Sequence, residues 1–299
     1  MFLLLKQIWY KEDPSVAPLT QDDIHSSFEF HHSSFSPVFP YFSLHSFPLG
    51  PITIQVWGLM VSLGIIAAVL LMSHLTKRQG LNKNVILDLA IWAIVGGFVG
   101  ARLFHIFFYY PAFYLQYPSE IVKVWHGGLS SLGGFVGAAL AVFIFARKRK
   151  LTLENFLPYA DITSVCLWLG WGIGRIGCFL IHDHPGTLSH FMLAAKYPGG
   201  ARHDLGLYDS IVGFVLFIIF FLLFKRLTKM RDGLVMAYSW MSYAVARFFL
   251  DFLRATDLPG SDVRYAHLTP AQWGMVGLVV ALTLWLSYGR MSTKQQIRK

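Results

Sequence analysis

The chain has 299 residues, 55% of them hydrophobic and 14% charged, with a formal net charge of +9 and a mean hydropathy of +0.51. A soluble domain carries about 25% charged residues, so this composition excludes a surface that faces only water. The basic residues fall in short clusters between apolar runs, which excludes a nucleic-acid surface. The two cysteines, Cys166 and Cys178, both lie inside apolar runs and offer neither a disulfide framework nor metal-ligand spacing.

Residues 1–39 are rich in Ser, His and Phe, show no helical period, and are expected to form a poorly ordered extracytoplasmic leader. Met1 to Trp9 is apolar but short, and Lys11-Glu12-Asp13 follows instead of a small-residue cleavage site, so no cleaved signal peptide is expected. From Pro40 to Pro51 the chain alternates and carries prolines, which suggests a short edge segment at the outer surface.

A spanning helix needs about 20 mostly apolar residues. Candidate spans lie near 52–75, 85–110, 128–146, 157–181, 207–224, 233–253 and 269–289. Runs of this length can satisfy their backbone in hydrocarbon only as helices. The expected fold is therefore all-α: a polytopic membrane helix bundle of about seven transmembrane helices, over 40–290, followed by a cytoplasmic tail over 291–299.

Basic residues in short loops set the orientation. Lys77, Arg78 and Lys83 follow the first span, Arg147 to Lys150 the third, Lys225, Arg226, Lys229 and Arg231 the fifth, and Arg290, Lys294, Arg298 and Lys299 the last. The alternate loops, 111–127 and 182–206, carry far fewer. The N-terminus is thus expected outside and the C-terminus in the cytoplasm. The loop over 182–206 carries breakers at Pro185-Gly186 and Pro198-Gly199-Gly200.

Charged side chains inside spans are costly and normally face a cavity or a partner. Arg102 lies in the second span and Arg175 near the outer end of the fourth. Arg247 and Asp251 are four residues apart on one face of the sixth, and Arg254 follows. Asp88 and Asp161 sit near inner ends. Arginines near the outer half of a bundle, with few carboxylates to cancel them, read as an anion site, because a guanidinium matches phosphate oxygens with a planar fork of donors. The natural membrane anion is a phospholipid headgroup. Glycines before and inside the third span, Gly127, Gly128, Gly133, Gly134 and Gly137, allow close helix packing or an N-terminal entry facing an anion.

These residues carry a resemblance. Leu49-Gly50-Pro51 leading to Trp57-Gly58-Leu59-Met60, Trp125-His126-Gly127-Gly128-Leu129-Ser130 with Gly133-Gly134, and Gly174-Arg175-Ile176-Gly177-Cys178-Phe179 ending at Gly186 come in this order. Leu207-Tyr208-Asp209 and the block Tyr243-x-x-x-Arg247-Phe248-Phe249-Leu250-Asp251-Phe252-Leu253-Arg254 complete the set. Together, over about Pro40 to Ser287, the chain resembles the bacterial prolipoprotein diacylglyceryl transferases. That resemblance implies an enzyme of the bacterial cytoplasmic (inner) membrane. Such an enzyme takes diacylglyceryl from phosphatidylglycerol and joins it by a thioether to the lipobox cysteine of a prolipoprotein, with glycerol phosphate leaving. It implies Arg175, Arg247, Tyr243 and His126 as catalytic residues. Arg175, Arg247, Arg254, Gly186, Trp57, Cys178, Gly133 and Gly134 are implied at the substrates, phosphatidylglycerol, the prolipoprotein and membrane lipid. The nucleophile is the substrate's thiol, so no catalytic Ser or Cys is required, and no metal, cofactor or nucleic acid is implied.

Three positions depart from the usual pattern of that family: Trp57 stands where many members have Tyr, Leu132 where many have His, and Cys178 where many have Asn. Leu132 removes the family's usual candidate base. His126 must then accept the thiol's proton, or the arginines must lower the thiol's pKa unaided; the second is the expectation. Two other readings stay open at this level. One is a channel or transporter for a small anion. The other is a paralogue that binds lipid headgroups without this activity.

Overall fold

The computed structural model describes residues 39–50, 52–124, 127–258, 261–262 and 264–297. The leader expected over 1–39 lies outside the described residues except for Phe39, and so do Trp125 and His126.

The chain enters through an antiparallel hairpin, β1 (Ser46–Leu49) and β2 (Ile52–Gln55), and passes directly into α1 (Val56–Arg78). After a turn at Gly80, Asn82 caps α2 (Lys83–Phe104), its side chain accepting a hydrogen bond from the Asn84 N–H at 2.9 Å. The last turn of α2 widens into a π-turn over His105–Tyr109. A short α3 (Pro111–Gln116) and a 3₁₀ turn (Pro118–Ile121) lead to α4 (Ser131–Lys148), which Ser130 caps. The longest spanning helix, α5 (Leu153–Ile181), starts at a Thr152 cap and ends with His182 in the left-handed region at φ 53°. Then come β3 (Pro185–Leu188), β4 (Ala195–Tyr197) and β5 (Gly200–Asp204), followed by α6 (Leu205–Met230), α7 (Leu234–Leu250), a 3₁₀ turn (Asp251–Leu253) and α8 (Pro270–Ile297).

Among the described residues, five helical segments are long and apolar enough to cross a membrane: Val56–Arg78, Lys83–Tyr109, Leu153–Ile181, Leu205–Met230 and Pro270–Tyr288. The chain is therefore an all-helical multi-pass membrane protein with a small β cap. Helices α4 and α7, at 18 and 17 residues, reach about 26 Å at 1.5 Å per residue, slightly short of a hydrocarbon core of about 30 Å. The outward faces are what a bilayer requires: Leu70, Phe98, Leu140, Ile218 and Leu222 are all exposed hydrocarbon. Helix α8 runs on through residues 291–297, within the segment expected as a tail. One element differs from the sequence expectation. The loop expected over 182–206 is a three-stranded antiparallel sheet of order β3-β5-β4. Its breakers serve as a strand start at Pro185 and a tight turn at Gly199 and Gly200, whose φ values of 88° and 131° need glycine.

Helix α5 is the hub and packs against α1, α6 and α7, while α4 packs chiefly on α2. Glycines permit these approaches. Gly64 of α1 meets the backbone of Gly170 of α5, and Gly100 of α2 faces Gly133 and Gly137 of α4. A buried core of Met72, Leu75, Ile86, Ile162, Trp168 and Phe220 fills the space around α5. The intramembrane charges away from the cap are committed to structure. Asp161 of α5 accepts from the N–H groups of Gly233 and Met236 at 2.7 and 2.8 Å, capping α7. Asp88 pairs with Arg149. Arg102 is buried against the ring of Tyr114. It donates to the carbonyls of Ile121 (3.0 Å), Gly127 (2.5 Å), Gly128 (2.9 Å) and Glu120, binding the segment between α2 and α4 to α2.

A Cβ added at Gly100 would lie 2.5 Å from the Gly133 carbonyl oxygen and 2.6 Å from the Gly137 Cα. Both are backbone atoms and cannot rotate away. Gly100→Ala should therefore destabilise the α2–α4 pair by about 1–3 kcal/mol, read as a lowered thermal midpoint in detergent. An unchanged midpoint contradicts the packing.

Candidate active site

The end of α5, the start of α6 and the end of α7 meet beneath the β cap. Gly206 in the first turn of α6 lies against the backbone of Cys178 and Phe179 at the end of α5, so closely that a Cβ would sit 2.7 Å from the Phe179 nitrogen. Ser210 donates to the Gly172 carbonyl at 2.8 Å one turn deeper. Gly177 meets the backbone of Trp57, which brings the start of α1 to the same place. Gly186 of β3 is bridged to Arg254, and a Cβ there would lie 2.6 Å from the Leu253 carbonyl oxygen. Small residues thus set the distances between the elements that carry the charged side chains.

Those side chains form an alternating ladder. Arg175 Nη2 of α5 lies 3.4 Å from Asp209 Oδ2 of α6, and Arg247 Nη1 of α7 lies 2.7 Å from the same oxygen. Arg247 Nη2 reaches Asp251 Oδ1 at 3.0 Å, and Arg254 lies between Asp251 at 3.7 Å and Asp262 at 2.7 Å. Asp251 also accepts from the Thr269 hydroxyl. The carboxylates of Asp209 and Asp251 are buried, whereas Arg175, Arg247 and Arg254 keep 17%, 10% and 28% of their side chains exposed. This corrects the expectation of arginines with few carboxylates to cancel them: Asp209 joins α5, α6 and α7 by charge, and Asp251 pairs with Arg247 and Arg254 at the end of α7. Isolated guanidiniums at this depth would carry an unrelieved desolvation cost.

An aromatic wall backs the ladder. The Arg175 guanidinium lies over the Trp171 ring at 4.5 Å. Tyr243 packs between Trp168 and Trp171, with centroids at 4.9 and 5.7 Å, and Phe135 of α4 reaches Trp171 at 5.9 Å. The stacking limits the rotamers open to Arg175 and leaves its edge toward the cap.

The cap is latched to the helices by buried polar pairs. His182, which ends α5, pairs with Asp204 Oδ2 at 2.5 Å, and Tyr197 donates to the same oxygen at 2.7 Å. The other oxygen of Asp204 caps α6 through the Leu207 N–H at 3.0 Å. Tyr41 stacks on His182 at 4.9 Å. Arg202 donates to the Gly186 carbonyl at 3.0 Å and forks onto Asp257 at 3.0 and 2.5 Å, which draws Asp257 below the usual carboxylate range. Between latch and ladder, Cys178, Asp183 and His184 bring donor atoms within 4.8 Å of one another. The His184 ring pairs with Asp183. Burial alone would lower its pKa, but the Asp183 hydrogen bond and charge, with the Cys178 contact, outweigh that and push the imidazole up to about 9.

The structure thus brings together Arg175, Arg247, Arg254, Tyr243, Cys178 and Gly186, with Trp57 touching through its backbone. Gly133 and Gly134 instead face α2, and their N–H groups bond to Ser130, the side chain for Gly133 and the carbonyl for Gly134, so the N-terminal entry of α4 is already satisfied. Arg102 turns to backbone carbonyls rather than to the ladder, and His126 lies outside the described residues. The sequence reading missed Asp183, His184 and Arg202. A signal existed for Arg202, a lone arginine in an outer loop, but none for the other two, whose position depends on how α5 ends.

A family model described as prolipoprotein diacylglyceryl transferase matches residues 45–288. A protein of Staphylococcus aureus (strain Newman) is 31% identical over 244 residues, covering 77% of this chain and 85% of its own length. Relatives from Staphylococcus saprophyticus and Staphylococcus xylosus are 29% and 28% identical over 256 residues, 81% of this chain and 90% of theirs. All three carry the name phosphatidylglycerol–prolipoprotein diacylglyceryl transferase.

Two outcomes follow from the geometry. Asp209→Ala leaves two guanidiniums without their shared partner and should cost about 3–5 kcal/mol of stability, read by thermal unfolding in detergent; a wild-type midpoint would contradict the ladder. His184 has its folded-state pKa raised to about 9, so its contribution is full below about pH 6.5 and lost as pH rises through about 9. Melting temperature should fall over that window, and the fall should shrink in His184→Gln. A flat profile in the unmodified protein contradicts the Asp183–His184 pairing.

Proposed function

The chain belongs to the prolipoprotein diacylglyceryl transferase family, and from that membership we propose that it transfers diacylglyceryl from phosphatidylglycerol to the lipobox cysteine of prolipoproteins, forming a thioether. It works as a multi-pass protein of the bacterial inner membrane, with seven spans, N-terminus out and C-terminus in. Residues 40–290 are the transferase domain, 1–39 an extracytoplasmic leader and 291–299 a cytoplasmic tail. The basic ends of α1, α4 and α6, with Lys77, Arg78, Arg147, Lys148 and Lys229, support that orientation.

The observation that carries the reading is the sharing of Asp209 by Arg175 and Arg247 at the ends of three spans. A phosphodiester anion entering from the lipid layer offers oxygens to the same two forks and can take over the contacts that Asp209 and Asp251 make in its absence. The substrate thiolate attacks the glyceryl carbon that bears the phosphate, the S–C bond forms, the C–O bond breaks, and glycerol phosphate leaves with the electron pair. Arg175, Arg247 and Arg254 stabilise the charge that grows on the departing phosphate. Tyr243 with its tryptophans holds the guanidiniums in place, while Gly186, Cys178 and Trp57 border the headgroup. Gly133 and Gly134 pack α4 against α2. An anion pore favours rings of unneutralised cationic side chains. Here each of the three arginines has a carboxylate within 4.0 Å, which favours a site that binds and releases one phosphate.

Purified protein, labelled phosphatidylglycerol and a lipobox peptide test the reaction. Arg175→Lys and Arg247→Lys keep charge but lose the fork, and each should lower turnover by about 10²-fold or more; near-normal turnover in both would sink the assignment. A reporter fused at residue 149 should read cytoplasmic, and an extracytoplasmic signal would overturn the orientation.

A further inference from the structure

The geometry points to His184 as the proton acceptor for the incoming thiol, with Asp183 as the residue that positions its ring. This assignment rests on the transferase reading and adds a residue that the sequence reading did not contain.

The reaction needs a base close to the phosphate, because the carbon under attack is bonded to a phosphate oxygen. A thiol within bonding reach of that carbon lies within a few ångströms of the arginines. Among the described residues, most groups near the ladder are committed elsewhere. His182 pairs with Asp204, and His203 with the Tyr208 hydroxyl at 2.7 Å. Asp209 and Asp251 hold guanidiniums. Leu132 presents exposed hydrocarbon. His184 differs. Its Nδ1 is held by Asp183, which fixes the ring and leaves Nε2 3.5 Å from Arg175 Nη1. Arginine has donors only, so once the ring is neutral, as pH rises toward its pKa of about 9, the nitrogen that faces it presents its lone pair, and the Nδ1–H points to Asp183. That is the tautomer a base requires.

The same cluster has the composition of a cation site, since Cys178 Sγ, Asp183 and His184 converge within 4.8 Å. The Arg175 guanidinium decides against it. It lies 3.5 Å from the His184 nitrogen and 3.7 Å from the Cys178 sulfur, where a dication on those atoms would be repelled at close range. A proton acceptor beside an anion site suits the same arrangement.

In the step, the substrate S–H proton passes to His184 Nε2 as the S–C bond forms. The C–O electron pair leaves on glycerol phosphate, and the imidazolium then releases its proton to water. The groups facing His184 are Asp183, Cys178 and Arg175. On the neighbouring strand Asp204 is taken by His182 and Tyr197, and Arg202 by Asp257. Arg254, bridged to Gly186, is taken by Asp251 and Asp262. The His184 pKa of about 9 lies near that of a free thiol, about 8.5, so the transfer is nearly balanced and its rate should climb with pH toward 9.

The test uses the full chain in phosphatidylglycerol-containing detergent micelles with a lipobox peptide. His184→Gln keeps a hydrogen-bonding side chain but cannot take a proton. Turnover should fall by about 10²-fold or more, with the KM for phosphatidylglycerol unchanged. Asp183→Asn leaves the imidazole in place and should shift the rising limb of the pH–rate profile down toward about 6.5; this keeps the assignment testable if His184→Gln fails to fold. A folded His184→Gln variant within about threefold of normal turnover, or an Asp183→Asn profile that does not move, overturns the assignment while leaving the transferase reading intact. Loss of activity on adding EDTA, restored by zinc, overturns it in favour of a metal site. An unmodified protein that transfers no label overturns the transferase reading, and this assignment with it.

Discussion

Asp209 has no exposed side-chain surface, and one of its oxygens holds Arg175 of α5 and Arg247 of α7 together. One turn deeper, the Ser210 hydroxyl also ties α6 to the Gly172 carbonyl of α5. Helix packing in a bilayer lacks a hydrophobic drive between apolar faces and depends on close contact and on polar pairs. The shared carboxylate supplies the pair, and Gly206, Gly172 and Gly213 supply the contact on the α5–α6 side.

The β cap extends this logic to the water side. Asp204 accepts from Tyr197 and the Leu207 N–H and pairs with His182, joining the end of α5, the sheet and the start of α6 at one residue. Arg202 carries the connection to Asp257 beyond α7. The cap is thereby held over the ladder by charged groups other than Arg175, Arg247 and Arg254, and Asp183 and His184 sit on the chain between latch and ladder.

Much of this was legible in the sequence. Apolar runs located the helix starts to within four residues, whereas the ends of α6 and α8 run six and eight residues past the expected spans; Arg247, Asp251 and Arg254 were visible as one face because their spacing is helical. Arg175 stood out because glycines flank it. What escaped had physical reasons. Asp209 was seen only as part of a motif, since pairing across helices has no sequence spacing. Arg102 read as one more intramembrane cation, but its partners are backbone carbonyls, which no side-chain pattern announces. The sheet over 185–204 was hidden because its strands are three to five residues long and Pro- and Gly-rich, too short for an alternation to register. His184 depends on a single residue, His182, adopting a left-handed conformation that turns the chain back over α5.

The central claim is that a lipid phosphate occupies the forks of Arg175 and Arg247. Solid-state dipolar recoupling between the phosphorus of phosphatidylglycerol and nitrogen-15 in the arginine side chains measures this directly. The account predicts strong dephasing, corresponding to a phosphorus–nitrogen distance of about 4 Å, reduced by Arg175→Lys and again by Arg247→Lys. Phosphorus signals untouched by the guanidinium nitrogens, or unaffected by both substitutions, would contradict it.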